Sequence, residues 1–294
     1  MTTLRKQIGD FTRLRYKRRK TLSLWMTFLL SLAAISACAA LFAVFGYVII
    51  QGVPHLTLSF FTGLPKPVGE VGGGMLNALV GSVLMVFLAS VVGIPWGIAT
   101  GMYLSEYGRG RFAFCVRFCS DMLSSVPSIV IGLFVYVLMV KPMHRFSGLA
   151  GSLALALIMV PIVARNTEEL LKLVPQHIRE AGLALGIPRW KVTLWIVLRG
   201  SLGGITTGVM LGIARIAGET APLLFTALNN RFFSIAPDQP MASLPVQIYT
   251  YAIAPFEDWN RQAWSGAFVL ILFVFMLNIV TRIVLRPGRG SVRD

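Results

Sequence analysis

The stretch LNALVGSVLMVFLASVVGIPWGIATGMYL runs from Leu76 to Leu104 without a charged side chain. About 20 apolar residues in an α-helix, which rises 1.5 Å per residue, cross the roughly 30 Å hydrocarbon core of a bilayer. The lipid interior offers no partner to an unpaired backbone N–H or C=O group, so a segment of this kind crosses as a helix. The stretch therefore predicts an integral membrane protein.

Five further apolar stretches lie elsewhere in the chain, and the composition agrees with lipid as the surrounding solvent. Hydrophobic residues make up 55% of the sequence and charged residues 13%, whereas soluble domains carry about a quarter charged residues. With the first stretch, they predict an all-α integral membrane fold of about six transmembrane helices. The other five are Leu22–Ile50, Met122–Val140, Leu149–Ala164, Gly203–Leu228 and Ala263–Ile283.

The net charge of +15 is explained by membrane topology better than by nucleic-acid binding. Of the 27 Lys and Arg residues, 21 fall in the two terminal segments and in the loops on the same side of the membrane. Five fall in the opposite loops, and Arg215 lies inside a span. Loops rich in Lys and Arg stay in the cytoplasm, so the pattern places both termini there.

This topology predicts three segments. Residues 1–21 form a basic cytoplasmic segment suited to anionic lipid headgroups. Residues 22–286 form the transmembrane domain, with a cytoplasmic loop over about residues 166–199, and residues 287–294 form a cytoplasmic tail. The N-terminal segment is not a cleavable signal peptide, because its basic and apolar regions are both too long and no small-residue cleavage pattern follows.

Motifs for chemistry on this chain are missing from the sequence. There is no Gly-rich loop followed by Lys and Ser or Thr that would bind ATP, and no Gly-x-Ser-x-Gly nucleophile turn. His55, His144 and His177 are scattered and match no metal-ligand spacing. We therefore expect no catalytic residues, no metal site and no bound cofactor.

The long cytoplasmic loop between the fourth and fifth spans has helical periodicity. Its apolar residues fit short amphipathic helices broken at Pro175 and Pro188. Gly186 follows the second of these helices, where a left-handed residue commonly ends a helix. A short helix with small residues could approach a partner closely, and Glu180 could pair with a cation on that partner.

The fifth span carries a repeat of small residues. The repeat favours close helix packing in lipid, either at the interface with another subunit or within this chain, and the sequence does not separate the two. Its members, four residues apart, are Gly200, Gly204, Gly208 and Gly212.

The same span carries two charges that are costly in lipid. Arg215 and Glu219 are four residues apart, so they share one helix face and can pair. A charge at the bilayer centre costs roughly 2.5–3.5 kcal/mol on insertion scales, so such residues face a bundle interior or an aqueous path. Pro222 follows and would loosen the helix. The pair indicates either a translocation pathway or a structural ion pair, and we favour the pathway.

Both regions resemble a known family. Glu180-Ala181-Gly182, Gly186, Ile196 and Leu198 resemble the Glu-Ala-Ala…Gly…Ile-x-Leu-Pro loop of type I ABC importer permeases, with Gly182 for the second Ala and Arg199 for the Pro. RIAGETAPLLF, from Arg215 to Phe225, resembles the fifth span of phosphate-importer permeases of the A type. The similarity runs from about residue 70 to 280. Other similar segments are Gly72–Ala78, Val126–Gly132, Ala164–Glu168 and Ser243–Tyr249.

The resemblance implies a type I ABC importer permease fold in a bacterial inner membrane, with a role for each region. Arg215 would meet phosphate, Glu219 would orient it between cycles, and the loop would be a coupling helix docked on a separate ATPase subunit. The implied pathway residues are Arg165, Arg215, Glu219 and Thr220. The implied coupling residues are Glu180, Ala181, Gly182, Leu185, Gly186 and Ile187.

The implied partners are a second, C-type permease, two copies of an ATP-binding subunit and an extracytoplasmic phosphate-binding protein. ATP would be used by the ATPase, so this chain is not itself an enzyme. Two other functions remain open: a permease for another oxyanion such as molybdate or sulfate, and a passive channel or scaffold that needs no ATPase. A homodimer also remains an alternative to the heterodimer.

Overall fold

The computed structural model describes residues 2–68, 70 and 72–284 of the chain. The chain divides between Gln51 and Gly52 into two compact units. The first unit is one continuous helix, α1, which runs over Thr2–Gly52. It has no break at residue 21, so the basic N-terminal segment and the first apolar stretch share one helix. The C-terminal tail predicted over residues 287–294 lies outside the described residues.

All the regular secondary structure in the described residues of the second unit is helical. A 3-10 turn, Val53–His55, follows α1, and π-helical turns extend α3 (Tyr103–Tyr107), join α5 to α6 (Tyr136–Val140) and join α9 to α10 (Val192–Leu198). The helices are α2 Leu58–Thr62, α3 Leu76–Met102, α4 Arg111–Ser125, α5 Ser128–Val135, α6 Lys141–Met143, α7 Gly148–Lys172, α8 Gln176–Ala184, α9 Arg189–Lys191, α10 Arg199–Ala217, α11 Ala221–Thr226, α12 Leu244–Ala252 and α13 Glu257–Val284.

The helices that could cross a membrane match the predicted number. Five described stretches are long and apolar enough, and the bent pair α4–α6 makes a sixth if it counts as one span. The prediction of an all-α membrane fold with about six spans is therefore confirmed. The five are Arg18–His55, Leu76–Tyr107, Gly148–Lys172, Arg189–Ala217 and Glu257–Val280.

The predicted third span, Met122–Val140, is not one helix. Arg111–Ser125 and Ser128–Met143 meet at an angle of 106°. The break falls at Val126 and Pro127, which both have extended backbone. Proline has no N–H to donate and disfavours the helical conformation of the residue before it, so the helix ends there.

The boundaries predicted around the long cytoplasmic loop are also wrong. Helix α7 continues through residues 166–172, and the fifth span begins at Arg189 rather than Gly203, so the connection between the two spans is shorter than predicted. The sequence did not predict this start because Arg189, Lys191 and Arg199 lower the hydropathy of the stretch. Charged residues do not interrupt backbone hydrogen bonding, so the helix continues through them. At its other end the span stops at Ala217 instead of reaching Leu228.

Helices α3 and α7 pack closely and in parallel through a row of glycines on α3. A Cβ atom at Gly93 would lie 3.2 Å from Met159 Sδ, and one at Gly97 would lie 2.6 Å from Val163 Cβ. One at Gly101 would lie 2.6 Å from the carbonyl oxygen of Ala164. Small residues let helix backbones approach, so these two helices are expected to move as one body.

Enlarging this row should destabilise the chain. In Gly97→Leu the new side chain collides with Val163 and with the backbone of residue 160, and such overpacking costs about 1–3 kcal/mol. We expect the thermal midpoint of the chain, expressed alone and purified in detergent, to fall by about 2–10 °C. Gly200→Leu is the control, because a Cβ there meets no described atom within 4 Å. Equal midpoints for the two variants would contradict the packing.

Candidate functional site

Arg215 and Glu219 of the fifth span form an ion pair without a hydrogen bond between them. Arg215 Nε lies 3.7 Å from Glu219 Oε1, which is beyond the usual hydrogen-bond distance. The Arg215 side chain is 55% exposed in the single chain and Glu219 is 16% exposed. The guanidinium therefore has an ionic partner but no hydrogen-bond partner among the described residues, and its donors are available to an anion.

The helix that carries Arg215 ends just after this residue, and a new helix begins just before Pro222. Helix α10 ends at Ala217, Glu219 lies in the break, and Thr220 accepts backbone hydrogen bonds from Leu223 and Leu224 as α11 begins. The proline sits at the start of α11, where its missing N–H costs little. Helix α11 lies against α5, since a Cβ at Gly132 would be 2.5 Å from Pro222 Cα.

The packing of α10 on α7 shows which part of α7 lies level with Arg215. A Cβ at Gly204 would meet Leu170, one at Gly208 would meet Asn166, and one at Gly212 would meet Met159 and Val163. The two helices are therefore antiparallel. One further turn along α10 brings Arg215 level with about residue 159, near the middle of α7. The positive charge accordingly lies beside the middle of α7 rather than beside either of its ends.

The same contacts bear on the glycine repeat of the fifth span. Gly204, Gly208 and Gly212 all face α7 of this chain, whereas Gly200 has no described atom near its Cβ position. Of the two readings that the sequence left open, packing within the chain accounts for three of the four glycines. An exposed strip remains on the other side of α10, formed by Gly203, Thr207, Leu211, Arg215 and Gly218.

Arg165 is a separate exposed cation on α7. Its guanidinium lies 2.7 Å from Asp121 Oδ1 and 3.2 Å from Glu169 Oε1, and its side chain is 63% exposed. It lies about six residues, or about 9 Å, from the level of Arg215 toward the end of α7 at Lys172. Within the described part of the chain, no ion pair joins it to Glu219.

Helix α8 ends as the sequence predicts. Gly186 has φ +75°, and its N–H donates to the Leu183 carbonyl oxygen. The next N–H, of Ile187, donates to the carbonyl oxygen of Gly182. These two bonds form a Schellman motif, in which glycine adopts the left-handed conformation at low cost.

The small residue of α8 faces this chain. A Cβ at Gly182 would lie 3.0 Å from Val192 and 3.1 Å from Ile196, so the missing methyl group permits packing against the fifth span. Glu180, Ala181 and Leu185 are exposed, with Leu185 80% exposed, and Ile187 is partly buried. Among the predicted coupling residues, Glu180, Ala181 and Leu185 therefore have side chains that another molecule could contact.

Two buried acids near α8 were missed by sequence reasoning. Glu106 and Glu168 are only 8% and 7% exposed. Glu106 pairs with Arg179, and Glu168 pairs with Arg117 and Lys172. They escaped notice because the predicted spans ended at Leu104 and Ala164, just short of each acid. For Glu106, a charge just after an apolar stretch was the available signal.

Comparison with known proteins identifies relatives across most of the chain. Residues 93–286 match the family described as "Binding-protein-dependent transport system inner membrane component". The "Phosphate transport system permease protein PstA" of Haemophilus influenzae is 49% identical over 92% of this chain and 96% of its own length. The proteins of that name from Yersinia pestis and Mycobacterium leprae are 49% and 43% identical over 80% and 71% of this chain.

A solved structure shares the fold. A chain of the MetNI methionine ABC transporter, in an inward-facing conformation, matches with a TM-score of 0.61 at 15% sequence identity. The match covers 72% of this chain and 94% of that one. At this identity the likeness concerns the fold alone, and it agrees with the predicted type I ABC importer permease fold.

Proposed function

The chain belongs to the PstA family of permeases, inner membrane components of binding-protein-dependent transport systems, and from this premise we propose that it forms part of the path of inorganic phosphate. The sequence similarity to PstA proteins covers more than nine-tenths of the chain in one relative. The chain is a multi-pass transport subunit of a bacterial inner membrane. Its expected function as a permease subunit is confirmed by the family.

The observation that carries the substrate assignment is the Arg215–Glu219 pair beside the middle of α7. Arginine stays charged at any relevant pH, and its planar fork donates two parallel hydrogen bonds to a tetrahedral oxyanion. The 3.7 Å separation leaves those donors free. Phosphate would replace Glu219 as the partner of Arg215 while it passes, and Glu219 would resume that place afterwards. Exchange between two anionic partners makes binding transient, as transport requires.

Arg165 and Thr220 complete the proposed path. Thr220 lies beside Glu219 in the helix break, where irregular backbone borders transport sites in other membrane proteins. Arg165 lies about 9 Å further toward the predicted cytoplasmic side, where it is paired with two carboxylates. It would receive phosphate on the exit side by the same exchange of anionic partners.

Energy would come from other chains. We propose that the exposed face of α8, with Glu180, Ala181 and Leu185, docks on one of two ATP-binding subunits, and that Gly186 and Ile187 fix the end of that helix. ATP would be bound and hydrolysed there, so this chain needs no cofactor. A C-type permease would cover the exposed strip of α10, and a phosphate-binding protein would deliver substrate from outside. Residues 1–21 and 287–294 would remain cytoplasmic.

The substrate assignment is tested by uptake in cells. Cells that lack this chain, and the same cells with the chain restored, take up labelled phosphate at low external concentration with molybdate or sulfate as competitor. We expect restoration to recover uptake that unlabelled phosphate suppresses and that the other two oxyanions leave unchanged. Recovered uptake that molybdate or sulfate suppresses equally would favour the other oxyanion permeases, and unchanged uptake would refute the phosphate assignment.

A further inference from the structure

Arg179 lies on the side of α8 that faces the rest of this chain, and its side chain is largely buried. The Arg179 side chain is 14% exposed, and the side chain of its partner Glu106 is 6% exposed. Arg179 Nη2 donates to Glu106 Oε1 over 2.6 Å, and Nε lies 3.1 Å from both carboxylate oxygens. A guanidinium that meets a carboxylate through two nitrogen atoms is held in orientation as well as in position.

The same guanidinium also holds the end of α7. Nη2 donates to the carbonyl oxygen of Leu171 over 2.7 Å, and Nη1 donates to that of Val174. Carbonyl groups in the last turn of a helix have no partner inside the helix, so a side-chain donor satisfies them. One arginine therefore joins α8 to the π-helical turn after α3, which holds Glu106, and to the end of α7.

A second set of contacts holds the same corner together. Arg117, on α4, lies 2.7 Å from Glu168 on α7 and donates to the Leu104 carbonyl oxygen at the end of α3. Arg189 donates to the carbonyl oxygen of Glu106 and lies over the Tyr107 ring. The π-helical turn after α3 is thus joined to the middle of α4, to the end of α7 and to the start of the fifth span.

We propose that Arg179 and Glu106 are positioning residues that transmit the movement of α8 to the α3–α7 pair during transport. The inference rests on the proposed function, in which a partner ATPase moves α8. Without Arg179, α8 would stay joined to α7 by the short segment Leu173–Pro175 and packed on the fifth span through Gly182. With Arg179, the ion pair to Glu106 also joins α8 to the turn after α3, so the same movement reaches α3 and α7 together.

This arrangement would let one displacement act on both sides of the charged pair. Arg215 lies on the helix that Gly182 contacts, and α7 packs along that helix through Gly204, Gly208 and Gly212. A rigid-body shift of packed helices is a common form of switching. If α8 moved only the fifth span, α10 would slide on α7 and the path near Arg215 would not open as a unit.

The test removes the link without leaving a buried charge. Removing one member of a buried ion pair leaves the other uncompensated, whereas replacing both with apolar residues is often tolerated. The double variant Glu106→Leu/Arg179→Met is therefore assembled with the other subunits in lipid vesicles. ATP hydrolysis per assembled complex is measured with and without phosphate-loaded binding protein, together with phosphate transported per ATP. The matched control, Glu257→Gln/Arg261→Met, removes an exposed ion pair of 3.3 Å at the start of α13.

We expect the double variant to keep its basal hydrolysis within about 2-fold and to lose stimulation and phosphate per ATP by at least about 10-fold. Arg179→Lys keeps the charge that pairs with Glu106 but loses the planar fork that also donates to two carbonyl oxygens. It should therefore show a smaller loss of stimulation and of phosphate per ATP. Wild-type stimulation per assembled complex in both variants, with less complex formed, would show a purely structural role and overturn the inference. A wild-type complex without phosphate-dependent stimulation would overturn the proposed function and this inference together.

Discussion

Replacing Arg215 with Gln should abolish phosphate uptake at low external phosphate while leaving the complex assembled. Glutamine keeps a polar side chain, although a shorter one, and loses the charge and the fork. A hydrogen bond to a charged group contributes about 1.5–3 kcal/mol, and 1.4 kcal/mol is a factor of ten, so we expect a loss on the order of 100-fold. Labelled phosphate uptake, divided by the amount of assembled complex in the membrane, measures the effect.

Three variants separate this role from a structural one. Arg215→Lys keeps the charge without the fork and should lose less than Arg215→Gln. Arg215→Gln/Glu219→Gln leaves no unpaired carboxylate at residue 219, so it should assemble at least as well as the single variant while transport stays lost. Arg261→Gln, which alters a second exposed arginine of an i,i+4 pair, is the control. Normal uptake in Arg215→Gln would rule out a role for Arg215 in the pathway.

Reversing the charge of Glu180 should uncouple the chain from its ATPase. Glu180 lies on the exposed face of α8 and makes no ion pair among the described residues. Its proposed partner is a cation on the ATPase, and placing Lys there turns attraction into repulsion. Disturbing a charge pair buried at an interface costs about 2–5 kcal/mol, so we expect uptake to fall by at least about 10-fold.

Co-purification with the ATPase checks this second prediction. Glu180→Lys should bring down less ATPase subunit than the wild-type chain, while the level of the chain in the membrane stays unchanged. Glu257→Lys makes the same charge reversal on an exposed residue of α13 and should leave both quantities unaltered. A Glu180→Lys chain with normal uptake and normal co-purification would show that Glu180 is not part of the docking surface.

The sequence predicted the spans best where they are uninterrupted and uncharged. Leu76–Leu104 reappears as α3 and its π-helical turn, because nothing in it opposes a continuous apolar helix. The third span failed at Pro127, since hydropathy records how apolar a stretch is but not its direction. The fifth span begins earlier than predicted for the opposite reason: Arg189 and Lys191 are polar yet lie in a helix.

The sequence likewise predicted some residues of the candidate site and not others. Arg215 and Glu219 stood out because charge inside a span is costly, and their spacing of four residues predicted the pair. The link between Glu106 and Arg179 joins residues far apart in the sequence, and a single sequence carries no sign of such a contact. The orientation of Gly182 was also beyond the sequence, because its residue type suits a partner groove and a close contact with Ile196 equally well.

The central claim is that this chain carries phosphate only when a partner hydrolyses ATP. The most direct measurement is uptake of labelled phosphate into vesicles that contain the purified complex, with phosphate-binding protein outside and ATP inside. We predict uptake that requires both components and stops when ATP is replaced by a non-hydrolysable analogue. Uptake that continues without ATP would contradict the account and indicate a passive channel.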